Sequence, residues 1–354
     1  MKKIVLTGGG TAGHVTPNIA LIERLKKENY EIHYIGSKDG IEKKLIEDIG
    51  IPYYGISTGK LRRYFDWKNF TDPFRVIKGF SEAKKLMKQI NPDICFSKGG
   101  FVSVPVVLAA KSRKVPAIVH ESDMTPGLAN KIAIPAATKV CCNFPETVKE
   151  LPDNKGIYTG TPIRKELFTG SKEAGLKFCG FDNSKPVLLV VGGSTGAKSV
   201  NEAVRNCLDD LLKKYHIIHL CGKGKADENY NGIEGYIQIE YCDKEMKDML
   251  AAADIVISRA GANAICELLA LRKPHILIPL SAAASRGDQI LNADSFKKQG
   301  FSVVLQDEEV NNETLFAAIK EVENNKQKYV DAMKGAASAD SEEIIFKLIE
   351  ETRK

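Results

Sequence analysis

The chain has 354 residues, enough for two medium domains with separate cores, and its 43% hydrophobic and 27% charged residues exclude wholesale disorder. No apolar run approaches the ~20 residues that span a bilayer, and the opening MKKIVLTGGG has too short an apolar core for a signal peptide. The net charge of +6 is uneven: residues 1–163 hold 25 Lys and Arg against 16 Asp and Glu, residues 164–354 hold 26 against 29, so the front half attracts anions.

The elements then follow in order. KIVLTG, EIHYIG, PYYGIS, DICFSK, PAIVHES, TKVCCN and GIYTG read as strands, separated by helical stretches such as 17–29 and 73–90, where Pro17 and Pro73 suit a first helical turn. The pattern restarts at KPVLLVVGGSTGAKSVNEAV (185–204) and continues through YHIIHLCG, GYIQIEYC, ADIVISRAG, KPHILIPL and FSVVLQ. Alternation of this kind predicts an α/β chain of two doubly wound, Rossmann-like domains with parallel sheets, facing a shared cleft. The expected division is 1–163 and 164–339, with an amphipathic last helix in 340–354 able to pack back on the first domain. The eight cysteines form no C-x-x-C pair and several lie in apolar runs, which reads as buried free thiols in a reducing cytosol.

Each domain opens on a strand, a glycine loop and a helix: GGGTAGH at 8–14 and GGSTGA at 192–197. Such loops point backbone N–H groups at the positive end of a helix, where an anion can sit. Gly8-x-Gly10-x-x-Gly13 also spells the dinucleotide fingerprint, but that reading needs an acid at the end of the second strand. Here that strand ends Ile35, Gly36, Ser37, and the first acid is the late Asp39, which counts against a nicotinamide cofactor. Neither loop ends in Gly-Lys-Ser/Thr, so a P-loop is excluded. In the back half, SRAGANAICEL (258–268) starts a helix after a strand and offers Asn263 and Glu267 one turn apart; SRGDQILNA (285–293) places Asp288 and Gln289 near another helix start.

GGGTAGHVTP, SKGGFVSVP, HESDMTPGLANK, GTPIR, GGSTGA, SRAGANAICEL and SRGDQILNA stand in the order found in the MurG family, which the chain resembles from residue 3 to beyond 300. Those bacterial enzymes move N-acetylglucosamine from UDP onto undecaprenyl-pyrophosphoryl-N-acetylmuramoyl-pentapeptide (lipid I), giving lipid II for peptidoglycan. The resemblance implies the two-Rossmann (GT-B) glycosyltransferase fold. It implies that Thr11, Ala12 and Gly13 lie near the donor sugar and acceptor diphosphate. Arg164, Gly193 and Ser194 would approach the donor phosphates, Gly261, Ala262, Asn263, Ala264 and Glu267 would cradle the nucleotide with Glu267 on the ribose, and Gln289 with Asp288 would hold the sugar. Ala12 replaces the family's usual glycine, and Asp123 stands where many relatives carry Asn.

Inverting transfer needs a base for the acceptor hydroxyl and stabilisation of the departing UDP. No two aspartates are separated by one residue, so the expectation is metal-independent transfer with no cofactor, charge being taken by helix N-termini, loop amides and Arg164. His14 adjoins the first loop and is the leading base, against the alternative of a histidine that packs the turn; His120 is the weaker rival. His216 and His219 point to opposite faces of a strand and read as structural.

Residues 60–88 carry nine basic and three acidic side chains, the sole tryptophan Trp67 and five other aromatics. Phe74, Ile77 and Phe80, flanked by Arg75 and Lys78, read as a membrane-facing stripe; the alternative is a core stripe with a solvated basic face. The expected partners are UDP-N-acetylglucosamine, lipid I and an anionic membrane, at the cytoplasmic face of the cell membrane. No nucleic-acid motif is present, so a polyanion binder rests on charge alone, and another UDP-sugar enzyme of the same fold, such as a UDP-N-acetylglucosamine 2-epimerase, is the enzymatic alternative.

Overall fold

The computed structural model describes residues 1–59, 68–193, 196–242, 244–283, 287–336 and 341–354, with only the backbone described at 12 and 68–73. The chain divides into two compact units, Met1–Arg164 with Asp340–Lys354, and Lys165–Ala339.

The first unit alternates β1 (Lys3–Thr7), α1 (Thr16–Lys27), β2 (Glu31–Ser37), α2 (Ile41–Glu47), β3 (Tyr53–Ile56), α3 (Lys68–Ile90), β4 (Ile94–Ser97), α4 (Ser103–Ser112), β5 (Ala117–Glu121), α5 (Leu128–Ala133), β6 (Lys139–Cys142), α6 (Pro145–Glu150) and β7 (Gly156–Tyr158). The strands pair in parallel in the order β3-β2-β1-β4-β5-β6-β7. They are largely apolar because helices cover both faces: Ile4, Leu6, Ile94 and Phe96 pack into one layer, Val5, Ile35, Cys95 and Val119 into the other.

The second unit runs α7 (Lys172–Cys179), β8 (Val187–Val191), α8 (Lys198–Asn206), α9 (Leu208–Leu212), β9 (His216–Leu220), β10 (Tyr236–Ile239), α10 (Met246–Ala252), β11 (Ile255–Ser258), α11 (Ala262–Ala270), β12 (His275–Leu277), α12 (Asp288–Lys298), β13 (Val303–Val304), α13 (Asn312–Asn324) and α14 (Lys326–Lys334). Its parallel sheet has the order β10-β9-β8-β11-β12-β13. In both sheets the order reverses beside the strand that feeds the glycine loop, β1 against β4 and β8 against β11. Ligands of open α/β sheets bind outside such switch points.

The last helix, α15 (Ser341–Thr352), packs on the first unit: Ile345, Phe346, Leu348 and Ile349 join the layer of Ile4 and Leu6, and Lys2 Nζ donates to Glu350 at 2.6 Å. Two local readings shift. α3 starts at Lys68, five residues before Pro73. Phe80 is half-buried against the core, while Phe74 and Ile77 are 75% and 64% exposed. A three-residue step turns a helix only 300°, so Phe80 lies about 120° round from Phe74 and faces inward. Among the cysteines, seven are buried and Cys242 is half-buried, all as free thiols.

Candidate active site

On the first unit, the site forms at the carboxyl ends of β1, β4 and β5. After Thr7 the chain turns through the glycine loop, with Thr11 exposed at its tip, and closes a helical turn, Ala12–His14, in which His14 N donates to the Thr11 carbonyl at 3.1 Å. Nothing further is described of the Ala12 side chain; Gly13 and His14 are half-buried. The loop is braced from behind. Tyr34 Oη donates to the Gly8 carbonyl at 2.8 Å, and Asn18 Nδ2 donates to Tyr34 Oη at 3.1 Å and to the Thr7 carbonyl at 3.2 Å.

Glu42, fully buried on α2, takes the place an anion would hold. Its carboxylate accepts from Gly10 N at 3.2 Å, from Ser37 N at 2.9 Å and from the Ser37 hydroxyl. A Cβ at Gly9 would collide with that carboxylate, which is why glycine is needed there. The acid missing from the end of β2 is thus supplied one turn later, but it is spent on the protein's own amides.

The His14 ring lies against the Lys98 backbone, and its Nδ1 is buried with no hydrogen-bond partner. Burial, then the Lys98 ammonium, push its pKa down to about 4, opposed by a hydrogen bond to the Lys98 backbone and then by Glu42. Lys98 is itself 1% exposed. Its Nζ donates to His120 Nδ1 at 2.8 Å and to Ser122 Oγ, while His120 Nε2 donates to the Gly160 carbonyl at 2.9 Å. His120 is therefore committed at both nitrogens, and burial holds its pKa well below the usual value. Glu121 accepts from Asp123 N, Gly127 N and Asn130 Nδ2 at 2.8–3.0 Å, fixing the HESDMTPG loop.

Beside this loop a cavity of about 590 Å³ reaches Gly10, Ser37 and Thr58 and is lined by the cations Lys38, Arg75 and Lys78 and the single acid Asp39. Arg75 and Lys78 therefore have a second environment besides the exposed helix face. Arg164, expected with the donor phosphates, is half-buried and ends the first segment of the first unit.

On the second unit, a cavity of about 280 Å³ gathers Gly193, Gly196, Ser258, Gly261, Ala264 and Gln289, joining all three sequence stretches singled out there. Gly193 has φ +84° with open space where a Cβ would stand. Gln289 is oriented by accepting from Leu280 N at 3.0 Å. Asn263 and Glu267 are half-buried on α11, Asp288 opens α12, and Ala262 is buried at the start of α11; these four are not among the described lining of the cavity. Ser194 lies outside the described residues. Arg259, which sequence reasoning passed over, also lines the cavity, yet its fork is held by Asp307 at 2.7 and 3.3 Å and by Ser199 Oγ at 3.1 Å, so it shapes the wall. Among the described residues no group of three or more His, Cys, Asp or Glu side chains is placed to hold a metal.

Residues 4–142 match the glycosyltransferase family 28 N-terminal domain, and residues 187–348 its C-terminal domain. A curated protein from Lachnoclostridium phytofermentans, named UDP-N-acetylglucosamine–N-acetylmuramyl-(pentapeptide) pyrophosphoryl-undecaprenol N-acetylglucosamine transferase, is 67% identical over 100% of this chain and 99% of its own length. A protein of the same name from Lachnospira eligens is 63% identical over the full length of both. Among solved structures, MurG of Acinetobacter baumannii superposes with a TM-score of 0.76 over 99% of this chain and 100% of that one at 23% identity. A Neisseria meningitidis UDP-GlcNAc 2-epimerase bound to UDP-GlcNAc superposes with a TM-score of 0.69 over 99% of this chain and 100% of that one at 12% identity, so fold alone does not separate the two chemistries. Sequence identity does: the chain is a GT-B glycosyltransferase of family 28 and belongs to the MurG family.

Proposed function

We propose that the chain transfers N-acetylglucosamine from UDP-N-acetylglucosamine to the 4-hydroxyl of the N-acetylmuramoyl residue of lipid I, with inversion and with His14 as the base. The O4–H proton passes to the His14 ring as O4 bonds to the anomeric carbon, and the bond from that carbon to the diphosphate oxygen breaks with its electron pair leaving on UDP. The observation that carries this mechanism is the buried, unpartnered Nδ1 of a ring held unprotonated at neutral pH. A pKa near 4 makes a weak base, but a diphosphate arriving nearby raises the ring's proton affinity again.

UDP-N-acetylglucosamine occupies the second unit. Gly193, Gly261, Ala264 and Gln289 on one cavity wall support this, with Ala262, Asn263 and Glu267 completing the nucleotide cradle, Asp288 assisting Gln289 on the sugar, and Ser194 and Arg164 joining at the phosphates. The acceptor's anionic part meets the first unit at Thr11, Ala12 and Gly13, and the cations Lys38, Arg75 and Lys78 beside Gly10 favour it there. The leaving diphosphate is stabilised by amides at the starts of α8 and α11, without a metal or cofactor. No helix among the described residues is long and apolar enough to cross a membrane. The enzyme instead sits peripherally at the cytoplasmic face of the cell membrane: exposed Phe74 and Ile77, flanked by Arg75 and Lys78, dip into an anionic surface.

The test is transfer of labelled N-acetylglucosamine from its UDP ester to a lipid I analogue with EDTA present. The expected product is the β-linked disaccharide at an undiminished rate; no transfer by folded protein, or an α-linked product, overturns the reading.

A further inference from the structure

The cavity of about 590 Å³ beside the first glycine loop is walled by residues 37–41 after β2, by residues 56–58 at the end of β3, and by Arg75 and Lys78 on α3. Gly79 brings that helix in. A Cβ there would stand 2.0 Å from the Ser57 carbonyl oxygen, so glycine lets α3 lie against the end of β3 and hold Arg75 and Lys78 at the cavity. The loop's own anion position is closed, because Gly10 N donates to Glu42 at 3.2 Å. Lys38 is also engaged: its Nζ stands 3.6 Å from Glu82, which accepts from Ser57 N at 2.6 Å. Arg75 and Lys78 are exposed and form no hydrogen bond or ion pair among the described residues, and Asp39, the one acid of the wall, is exposed as well.

We infer that this cavity holds the peptide of the acceptor, with a peptide carboxylate on Arg75 and Lys78. The inference rests on lipid I being the acceptor and on His14 marking where its 4-hydroxyl sits. On a muramoyl ring the peptide hangs from the lactoyl group on O3, the neighbour of O4, whereas the diphosphate is carried by C1, across the ring. The substituent nearest the reacting hydroxyl is therefore the peptide. Gly10, on the cavity wall, precedes His14 by four residues and so lies within about 14 Å of it, while an extended pentapeptide spans about 17 Å. The stem thus reaches the cavity, whose volume is that of an ordinary small-ligand pocket. A carboxylate suits the wall: the planar Arg75 fork can take both its oxygens, Lys78 adds a point charge one helical turn on, and Thr58 adds a hydroxyl. A muramoyl sugar without its peptide forgoes that contact, so the cavity favours the peptide-bearing acceptor.

The test is a cycle of initial rates, without vesicles, for wild type and the double variant Arg75→Gln, Lys78→Gln. Three short-chain lipid I analogues serve as acceptors: one with a free-acid pentapeptide, one with the peptide carboxylates amidated, and one with a lactoyl amide and no peptide. Donor affinity, by titration of UDP-N-acetylglucosamine, checks folding. In wild type, amidation should raise the acceptor KM by about tenfold, the effect of losing one charge-assisted hydrogen-bonded pair, with kcat little changed. The double variant should lose about tenfold in kcat/KM on the free-acid acceptor and less than about threefold on the other two, because the partner is already missing there. An equal loss on all three acceptors overturns the inference and gives the cations to the diphosphate, the anion that all three share. No loss on any acceptor, with weaker binding to anionic liposomes, overturns it in favour of a purely membrane-facing role. No transfer by folded wild type to any of the three overturns the acceptor reading itself, and the inference with it.

Discussion

The two glycine loops share a grammar and differ in what fills them. In the first, the anion position is taken by the chain's own Glu42, the loop is braced by Tyr34 and Asn18, and a histidine with an unpartnered nitrogen stands at its exit. In the second, Gly193 has open space before it and the loop borders a cavity shared with Gly261 and Gln289. A strand–glycine loop–helix unit supplies the amides in both cases; whether they serve a ligand depends on whether a neighbouring side chain has already claimed them. On this account the second loop holds the nucleotide and the first holds the chemistry.

The largest expected effect that bears on this division is at His14. His14→Ala should lower turnover by ~10²-fold or more at saturating donor, read by the transfer assay; unchanged turnover breaks the comparison at its first half. Next is Glu42→Ala, which strips the Gly10 and Ser37 amides of their acceptor inside the fold. Buried donors left unsatisfied should cost about 2–3 kcal/mol, seen as faster hydrogen exchange in β1 and β2 with the second unit's strands unaffected. If the variant is as protected as wild type, Glu42 is not what fills the first loop.

Acid should weaken both units alike. Burial, first among the causes, holds His219 at about 3 and His275 at about 4 in the second unit, as it does His14 at about 4 in the first. Each folded value lies below that of the free side chain, so the unfolded chain binds the extra proton and stability is lost as pH falls from about 6.5 toward the folded values. At pH 5 the loss is about 2 kcal/mol per histidine, measurable as urea midpoints at pH 7 and 5. The smallest effect is outside both loops: Phe74→Ser with Ile77→Ser should reduce sedimentation with anionic liposomes by roughly fivefold while solution transfer to a short-chain acceptor is retained. Equal sedimentation returns that face of α3 to the role of solvated surface.

Much of the architecture was legible because it is written locally. Apolar strand runs ending in glycines, twice over, are enough to expect two parallel sheets with loops at their switch points, and Gly193, Gly261, Ala264 and Gln289 do line one wall. What stayed hidden depends on partners distant in sequence. Lys98 in SKGG carries no signal of burial in sequence, since only the pairing of β5 with β4 brings His120 to its ammonium. Arg259 drew no reading in sequence because its role as part of the cavity wall appears only when Asp307, 48 residues on, holds its fork. Glu42 is invisible as a loop filler because α2 must fold back before its carboxylate meets Gly10. Phe80 misled for a simpler reason: equal spacing of three is not equal direction on a helix of 3.6 residues per turn.

The division of labour between the loops is tested most directly by calorimetric titration of UDP-N-acetylglucosamine into wild type, His14→Ala and Glu267→Ala. The account predicts an unchanged Kd in His14→Ala and at least a ~10-fold weaker one in Glu267→Ala, since a lost hydrogen-bonded charge is worth about 1.5–3 kcal/mol. Weakened donor binding in His14→Ala with full affinity in Glu267→Ala would place the nucleotide on the first loop and contradict it.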